Sequence, residues 1–146
     1  MTELEALGVS FLRHLRAEGR AERTGVLYMQ GVRFFARWLE AQGIAPTVEA
    51  LTRDNIRSWL AELMESKRAT TVKTRYRSLY RFCGWLVDEG ELEAHPMTKL
   101  APPTLPAEPV PVLTDDELRA VLKACGGKSF DDARDTAMIR LLLDCG

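Results

Sequence analysis

The sequence predicts an all-α protein: a four-helix bundle, then a Pro-rich linker, then two further helices. Three observations carry that expectation. Apolar residues recur at intervals of three and four through four segments of the first 95 residues, the spacing of one helix face. No run in that region alternates apolar and polar positions between turn signals, as a half-buried strand would. Six of the seven prolines fall between Pro96 and Pro111, where fixed φ and missing N–H groups exclude helix and central strand.

The elements follow in chain order. Leu4, Leu7, Phe11 and Leu15 mark a first amphipathic helix that ends near Gly19. Thr24 is placed to cap a second, in which Tyr28, Val32, Phe35 and Leu39 share a face and Gly43 and Pro46 stop the run. Leu27, Phe34 and Trp38 form another apolar stripe on that helix, which therefore reads as the central one, buried by more than one neighbour. Thr52 begins a third helix with Ile56, Trp59, Leu60 and Leu63 inward. Thr70 or Thr71 begins a fourth, with Val72, Tyr76, Leu79, Cys83 and Leu86 inward, running to about Gly90, and the same wheel points Trp85 away from the core. Short connections between four such helices give a compact bundle over residues 1–95.

Residues 96–112 read as an extended linker, and 113–146 as a piece too short to fold without help. Thr114 and Glu117 have the spacing of a capping box, with Leu113 and Leu118 as its hydrophobic staple. The fifth helix that follows should bury Leu118, Val121 and Leu122. A sixth, starting at Asp131 or Asp132, is apolar nearly all round toward Leu141, Leu142 and Leu143, as expected inside a larger domain.

Composition narrows the function classes. The 146 residues are 46% hydrophobic and 28% charged, which argues against wholesale disorder. No apolar stretch approaches the ~20 residues that cross a bilayer, and two glutamates stand where a signal peptide would be basic, so a cytoplasmic protein without a membrane partner is expected. Cys83, Cys125 and Cys145 have neither metal-ligand nor disulfide spacing, and no Gly-rich phosphate loop or Ser-His-Asp set is present. No metal or other cofactor is expected. His14 and His95 are isolated and read as surface residues, while Asp131 and Asp132 read as capping residues at a helix N-terminus.

Charge distribution carries the functional signal. From Ser66 to Val87 there are six cations, Lys67, Arg68, Lys73, Arg75, Arg77 and Arg81, and no acidic residue. At ~100° per residue, Lys73, Arg77 and Arg81 form one slowly drifting ridge away from the Val72/Tyr76/Leu79/Cys83 stripe, with Thr70 and Thr74 on the same side and Thr71 at the helix start. A helix packed on one face and lined with cations and hydroxyls on the other can enter a DNA major groove, cations meeting phosphates and Arg forks reaching guanine edges. The second helix adds Gln30, Arg33 and Arg37 opposite its own core stripe. A merely solvated helix face is the alternative reading of such a ridge.

The order of features resembles the tyrosine recombinase (phage integrase) family, including its Xer-like members. The resemblance rests on TGVLYMQGVRFFARWLEAQG, LTRDNIRSWLAELMES, ATTVKTRYRSLYRFCGWLVDEGELEAHPM, VLTDDELRAVLKA and ARDTAMIRLLLDCG, and covers nearly all the chain from about residue 20. Members more usually carry Asn-Pro where His95-Pro96 stands. The resemblance implies that 1–95 is a SAM-like core-binding domain, whose second and fourth helices meet double-stranded DNA, and that 113–146 is the incomplete start of a catalytic domain. The family's first catalytic Arg would directly follow the Gly matching Gly146, and its catalytic Lys, His-x-x-Arg element and nucleophilic Tyr lie further on. No catalytic residue is therefore assigned. The resemblance implies that this chain as it stands neither cleaves nor rejoins DNA, while a full-length parent would be a site-specific recombinase working with other recombinase subunits on DNA. A helical protein-interaction module and a natural truncated, non-cutting regulator of recombination are the alternatives.

Overall fold

The structure, a computed structural model, describes residues 2–104 and 111–145. Among these residues six helices are present, α1 (Glu3–Ala17), α2 (Glu22–Ala41), α3 (Arg53–Ser66), α4 (Ala69–Asp88), α5 (Asp115–Ala124) and α6 (Phe130–Cys145), with a short 3-10 turn at Val48–Ala50. No strand occurs among the described residues. The chain divides into two compact units, Met1–Pro106 and Ala107–Gly146.

The first unit is the bundle α1–α4. Thr2 and Glu5 close a capping box at the start of α1, Thr2 N–H donating to Glu5 Oε2 at 3.0 Å and Glu5 N–H to Thr2 Oγ1 at 3.3 Å. Thr52 caps α3 as the sequence predicts, accepting from Asn55 N–H at 3.2 Å. α4 stops at Asp88 because Gly90 takes φ +80°, a left-handed turn that glycine enters without a Cβ penalty, and Glu91 N–H returns to Leu86 O. The predicted stripes form one core: Leu4, Phe11 and Leu15 meet Val32, Phe35 and Leu39, with Ile56, Trp59, Leu60 and Leu63 below and Val72, Tyr76, Leu79, Cys83 and Leu86 completing it. α2 and α4 make the most extensive helix pairing. They approach so closely that a Cβ on Gly31 would collide with Ser78 Cβ, and Ser78 Oγ spans the crossing to Leu27 O at 3.3 Å.

Several expectations are corrected. α2 starts at Glu22 behind Ala21, without a side-chain cap, and Thr24 lies inside its first turn. α4 begins at Ala69 with Arg68 in the cap position, so Thr70 and Thr71 are first-turn residues rather than caps. Trp85 does not project outward. It is 6% exposed, against Phe11 at 5.4 Å and Phe82 at 5.9 Å, because α1 covers this flank of α4 and widens its buried arc. The Leu27/Phe34/Trp38 stripe is only partly covered: Leu27 and Phe34 stay exposed, and half-buried Trp38 gives its indole N–H to Glu62 Oε2 at 2.6 Å.

The described residues 96–104 of the expected linker belong to the first unit, and 105–110 lie outside the described residues. Met97 is fully buried and Leu100 packs on the core. Met97 N–H donates to His95 Nδ1 at 3.1 Å, so that nitrogen is the acceptor and the Nε2–H donates to Tyr80 O at 3.0 Å. Tyr76 OH donates to Leu100 O at 2.6 Å, fixing the same segment farther along.

In the second unit the Thr114–Glu117 capping box forms as predicted, Thr114 N–H donating to Glu117 Oε2 at 2.7 Å. α6 starts one residue before its expected range, at Phe130. Ser129 accepts from Asp132 N–H at 3.1 Å and donates its own N–H to Asp132 Oδ2, so Asp132 closes the box rather than beginning the helix. No residue of α5 or α6 is buried. Leu118 and Leu122 reach half-burial, Val121 remains exposed, and Leu113, the expected staple residue, is also exposed.

Candidate nucleic-acid interface

α4 carries the ridge because its core stripe fixes the rotation of the helix. With Val72, Leu79, Phe82 and Cys83 at zero exposure, Arg77 and Arg81 point to solvent and Lys73 is half-buried beside them. Thr70 and Thr74 are placed on the same side, both exposed, and the Thr74 hydroxyl donates to Thr70 O at 3.0 Å. Lys67 and Arg68 are exposed just before the helix, and Thr71 is half-buried. Among the described residues, Lys67, Arg68, Lys73 and Arg77 have no carboxylate within ion-pair distance. Arg81 does: Glu18, just past the end of α1, stands 3.7 Å from it. The Glu18 carboxyl is held below its ordinary range, first by a hydrogen bond from the Arg20 side chain and then by the charges of His14, Arg20 and Arg81.

Arg75 stands apart from the ridge. Two residues from Lys73 on a helix is a turn of ~200°, and its guanidinium lies over the Phe34 ring of α2, 4.1 Å from the centroid. Partial burial lowers its pKa, yet a guanidinium remains charged at any ordinary pH. On α2, Gln30, Arg33 and Arg37 are all exposed as predicted.

The 97–102 segment adds what the sequence did not announce. It runs beside α4 and, with Lys73, Tyr76, Arg77, Tyr80 and Arg81, encloses an open groove of about 640 Å³ whose far side carries Thr98 and Lys99. The ridge thus has one walled flank. Lys99 sits among prolines and gave no periodic signal. The burial of Met97, the hydrogen bonds of His95 and the Tyr76–Leu100 hydrogen bond bring it to this surface.

The remaining reactive groups are engaged elsewhere. His14 pairs with Glu18 at 3.3 Å, and the half-buried His95 ring is fixed by the two hydrogen bonds above rather than lying free on the surface. Burial pushes the Cys83 thiol up to about 12, which leaves it protonated and unreactive. Among the described residues no group of His, Cys, Asp and Glu could hold a metal ion, and no helix is long and apolar enough to cross a membrane.

Residues 9–90 match the phage integrase N-terminal SAM-like domain, and the chain belongs to that family. Among curated relatives, the chain is similar to tyrosine recombinase XerC of Chromobacterium violaceum, 26% identical over 93% of this chain and 44% of that protein. It is likewise similar to tyrosine recombinase XerC of Mycobacterium tuberculosis strain H37Ra, 33% identical over 88% of this chain and 44% of the relative. XerC of Mycobacterium sp. strain JLS is 28% identical over 98% of this chain and 50% of its own length. The chain therefore spans about half the length of the curated relatives it matches. No solved structure matches it.

Proposed function

We propose that the chain binds double-stranded DNA as the N-terminal part of a site-specific tyrosine recombinase or integrase. In this reading, 1–95 is the DNA-binding domain, 96–112 the Pro-rich connection and 113–146 the beginning of a catalytic domain. Lys73, Arg77 and Arg81, with Thr70 and Thr74, meet one phosphate backbone. Lys67, Arg68 and Thr71 extend that surface, while Gln30, Arg33, Arg37 and Arg75 supply contacts from the α2 side. A full-length protein would act with further recombinase subunits on DNA, and this chain alone would hold DNA without breaking strands. The observation that carries the reading is the ridge itself: exposed Arg77 and Arg81 and half-buried Lys73 opposite a packed face, with no acidic residue between Glu65 and Asp88.

The mechanism asks little of the protein beyond geometry. The packed stripe holds α4 rigid, so the cations are presented at fixed helical spacing and bind by releasing condensed counterions from phosphate. The close α2–α4 crossing at Gly31 and Ser78 fixes the separation of the two polar strips.

Fluorescence anisotropy on a mixed-sequence duplex across a salt series tests this. Replacing Lys73, Arg77 and Arg81 together by Ala should flatten the slope of log K against log salt by about 0.9 for each phosphate no longer neutralised, with the helical circular dichroism unchanged. An unchanged slope removes the ridge as the DNA-binding surface. Equal displacement by heparin and by duplex would favour a protein-interaction role. A covalent adduct on a suicide DNA substrate would overturn the claim that this chain does not cut.

A further inference from the structure

The groove between α4 and the 97–102 segment has features that phosphate binding alone does not require. A phosphate needs cations and N–H donors, but this groove is floored by Tyr76, Tyr80, Leu100 and neighbouring apolar atoms, with the cations Lys73, Arg77 and Lys99 around it. Its volume of about 640 Å³ falls within the roughly 300–1,000 Å³ of sites that enclose a small ligand. A duplex is far too wide to enter such a space, whereas one strand fits.

Tyr80 is the central feature. It is 40% exposed where Tyr76, one turn back on the helix, is buried, and its ring is backed by His95 at 4.3 Å and by Tyr76 at 6.0 Å with only 24° between the tyrosine planes. The backing is rigid: His95 is held from both ring nitrogens, and the Tyr76 hydroxyl is tied to Leu100 O. A pre-ordered aromatic face beside a cationic rim is the arrangement by which proteins hold unpaired nucleotides, the base stacking on the ring and the backbone tracking the charges.

We propose that this groove binds an unpaired segment of a DNA strand, with a base on Tyr80 and the adjoining phosphates at Lys73, Arg77 and Lys99. The inference rests on the duplex-binding reading, because the ridge that would hold the duplex forms one side of the groove. It adds Tyr80, Lys99 and Thr98 to the surface and gives the 97–102 segment a role beyond connection.

The test uses the 146-residue chain and two labelled DNAs with equal phosphate number: a blunt duplex, and a shorter duplex with an oligothymidylate overhang. Stacking of one base is worth at least ~1 kcal/mol, so the overhang DNA should bind about five-fold or more tighter than the blunt one. Tyr80→Leu should bring that ratio to one, Tyr80→Phe should preserve it, and Lys99→Ala should reduce it. Thermal melting of each variant confirms that the bundle is folded, and Tyr80→Phe keeps the test valid if Tyr80→Leu unfolds. A ratio of one in the unaltered chain, with normal blunt-duplex binding, overturns the groove and leaves the duplex reading standing. A ratio unaffected by Tyr80→Leu also overturns it. Binding of the overhang DNA without any blunt-duplex binding would support the groove and refute the duplex reading, and binding of neither would refute both.

Discussion

Glu18 is the one acidic group, among the described residues, that reaches the ridge, and its removal gives the sharpest check on how the ridge works. Its carboxylate engages Arg81 at 3.7 Å, Arg20 at 3.3 Å and His14 at 3.3 Å, so Arg81 must leave an existing partner before it can meet a phosphate. In Glu18→Gln that competition is gone. If Arg81 then neutralises one further phosphate, the salt slope steepens by about 0.9, and the advantage over the parent chain changes about 3.5-fold between roughly 50 and 200 mM salt. The pair is partly exposed, so its own contribution to stability is small and the variant should melt close to the parent. Anisotropy titrations at several salt concentrations read the slope directly. The decisive comparison is the same substitution in an Arg81→Ala background, where the steepening should vanish because the two residues are coupled. If Glu18→Gln has the same effect with Arg81 absent, the carboxylate acts through His14 and Arg20 or through bulk charge, and the role given to Arg81 is refuted.

Other consequences concern packing and pH. Gly31→Ala should destabilise the first unit by ~1–3 kcal/mol in urea unfolding, because the added methyl collides with Ser78 Cβ and the helices must part. Met97→Ala, which empties a fully buried site, should cost ~2–5 kcal/mol and loosen the groove wall, read as weaker amide protection at Leu100. The Glu117 and Asp132 carboxyls are held below their ordinary values of 4.5 and 3.8 by hydrogen bonds, from Thr114 and Ser129 respectively. Their folded values are depressed, so the stabilisation is complete above the ordinary values and is lost as pH falls below them. Helicity contributed by α5 and α6 should therefore decline below about pH 4 and be insensitive to pH between about 6 and 8. Cys83 should resist thiol reagents under native conditions while exposed Cys145 reacts, and equal labelling rates would contradict the packing of α4.

What was legible in the chain was what depends on neighbours in sequence. Thr52 and Thr114 act on backbone N–H groups three residues away, and both caps stand where the sequence placed them. The 3.6-residue stripes gave the core face of every bundle helix, and through it the outward direction of Lys73, Arg77 and Arg81. Features set by distant partners were not legible. Trp85 lies at the edge of the α4 stripe, and only the approach of α1 through Phe11 decides that it is inside. Arg75 reads as one more cation until Phe34, from another helix, is found beneath it. Met97 and Lys99 follow Pro96 in a stretch without periodicity, where composition suggests an extended chain. A single buried methionine and the seat of His95 fold that stretch back onto α4.

The near-neutral net charge and the basic ridge are compatible because charge here is segregated along the chain. The first unit holds fifteen Lys and Arg against thirteen Asp and Glu, a slight excess with little long-range pull on a polyanion. Fields from exposed charges fade within about 8–10 Å at ordinary salt, so what a phosphate meets is the local set on α4 rather than the total. That set is bounded. Lys73 and Arg81 are eight residues apart, or about 12 Å along the axis at about 1.5 Å per residue, and acidic Asp88, Glu89, Glu91 and Glu93 follow at the far end. With base pairs about 3.4 Å apart, the ridge spans only about three or four steps of one strand. A footprint that short supplies orientation and modest affinity but little sequence information, since phosphate contacts carry none. In the proposed reading, discrimination between DNA sites must therefore come from outside the ridge. On this chain the placed candidates are Arg75, held over Phe34, and the exposed Gln30, Arg33 and Arg37 of α2.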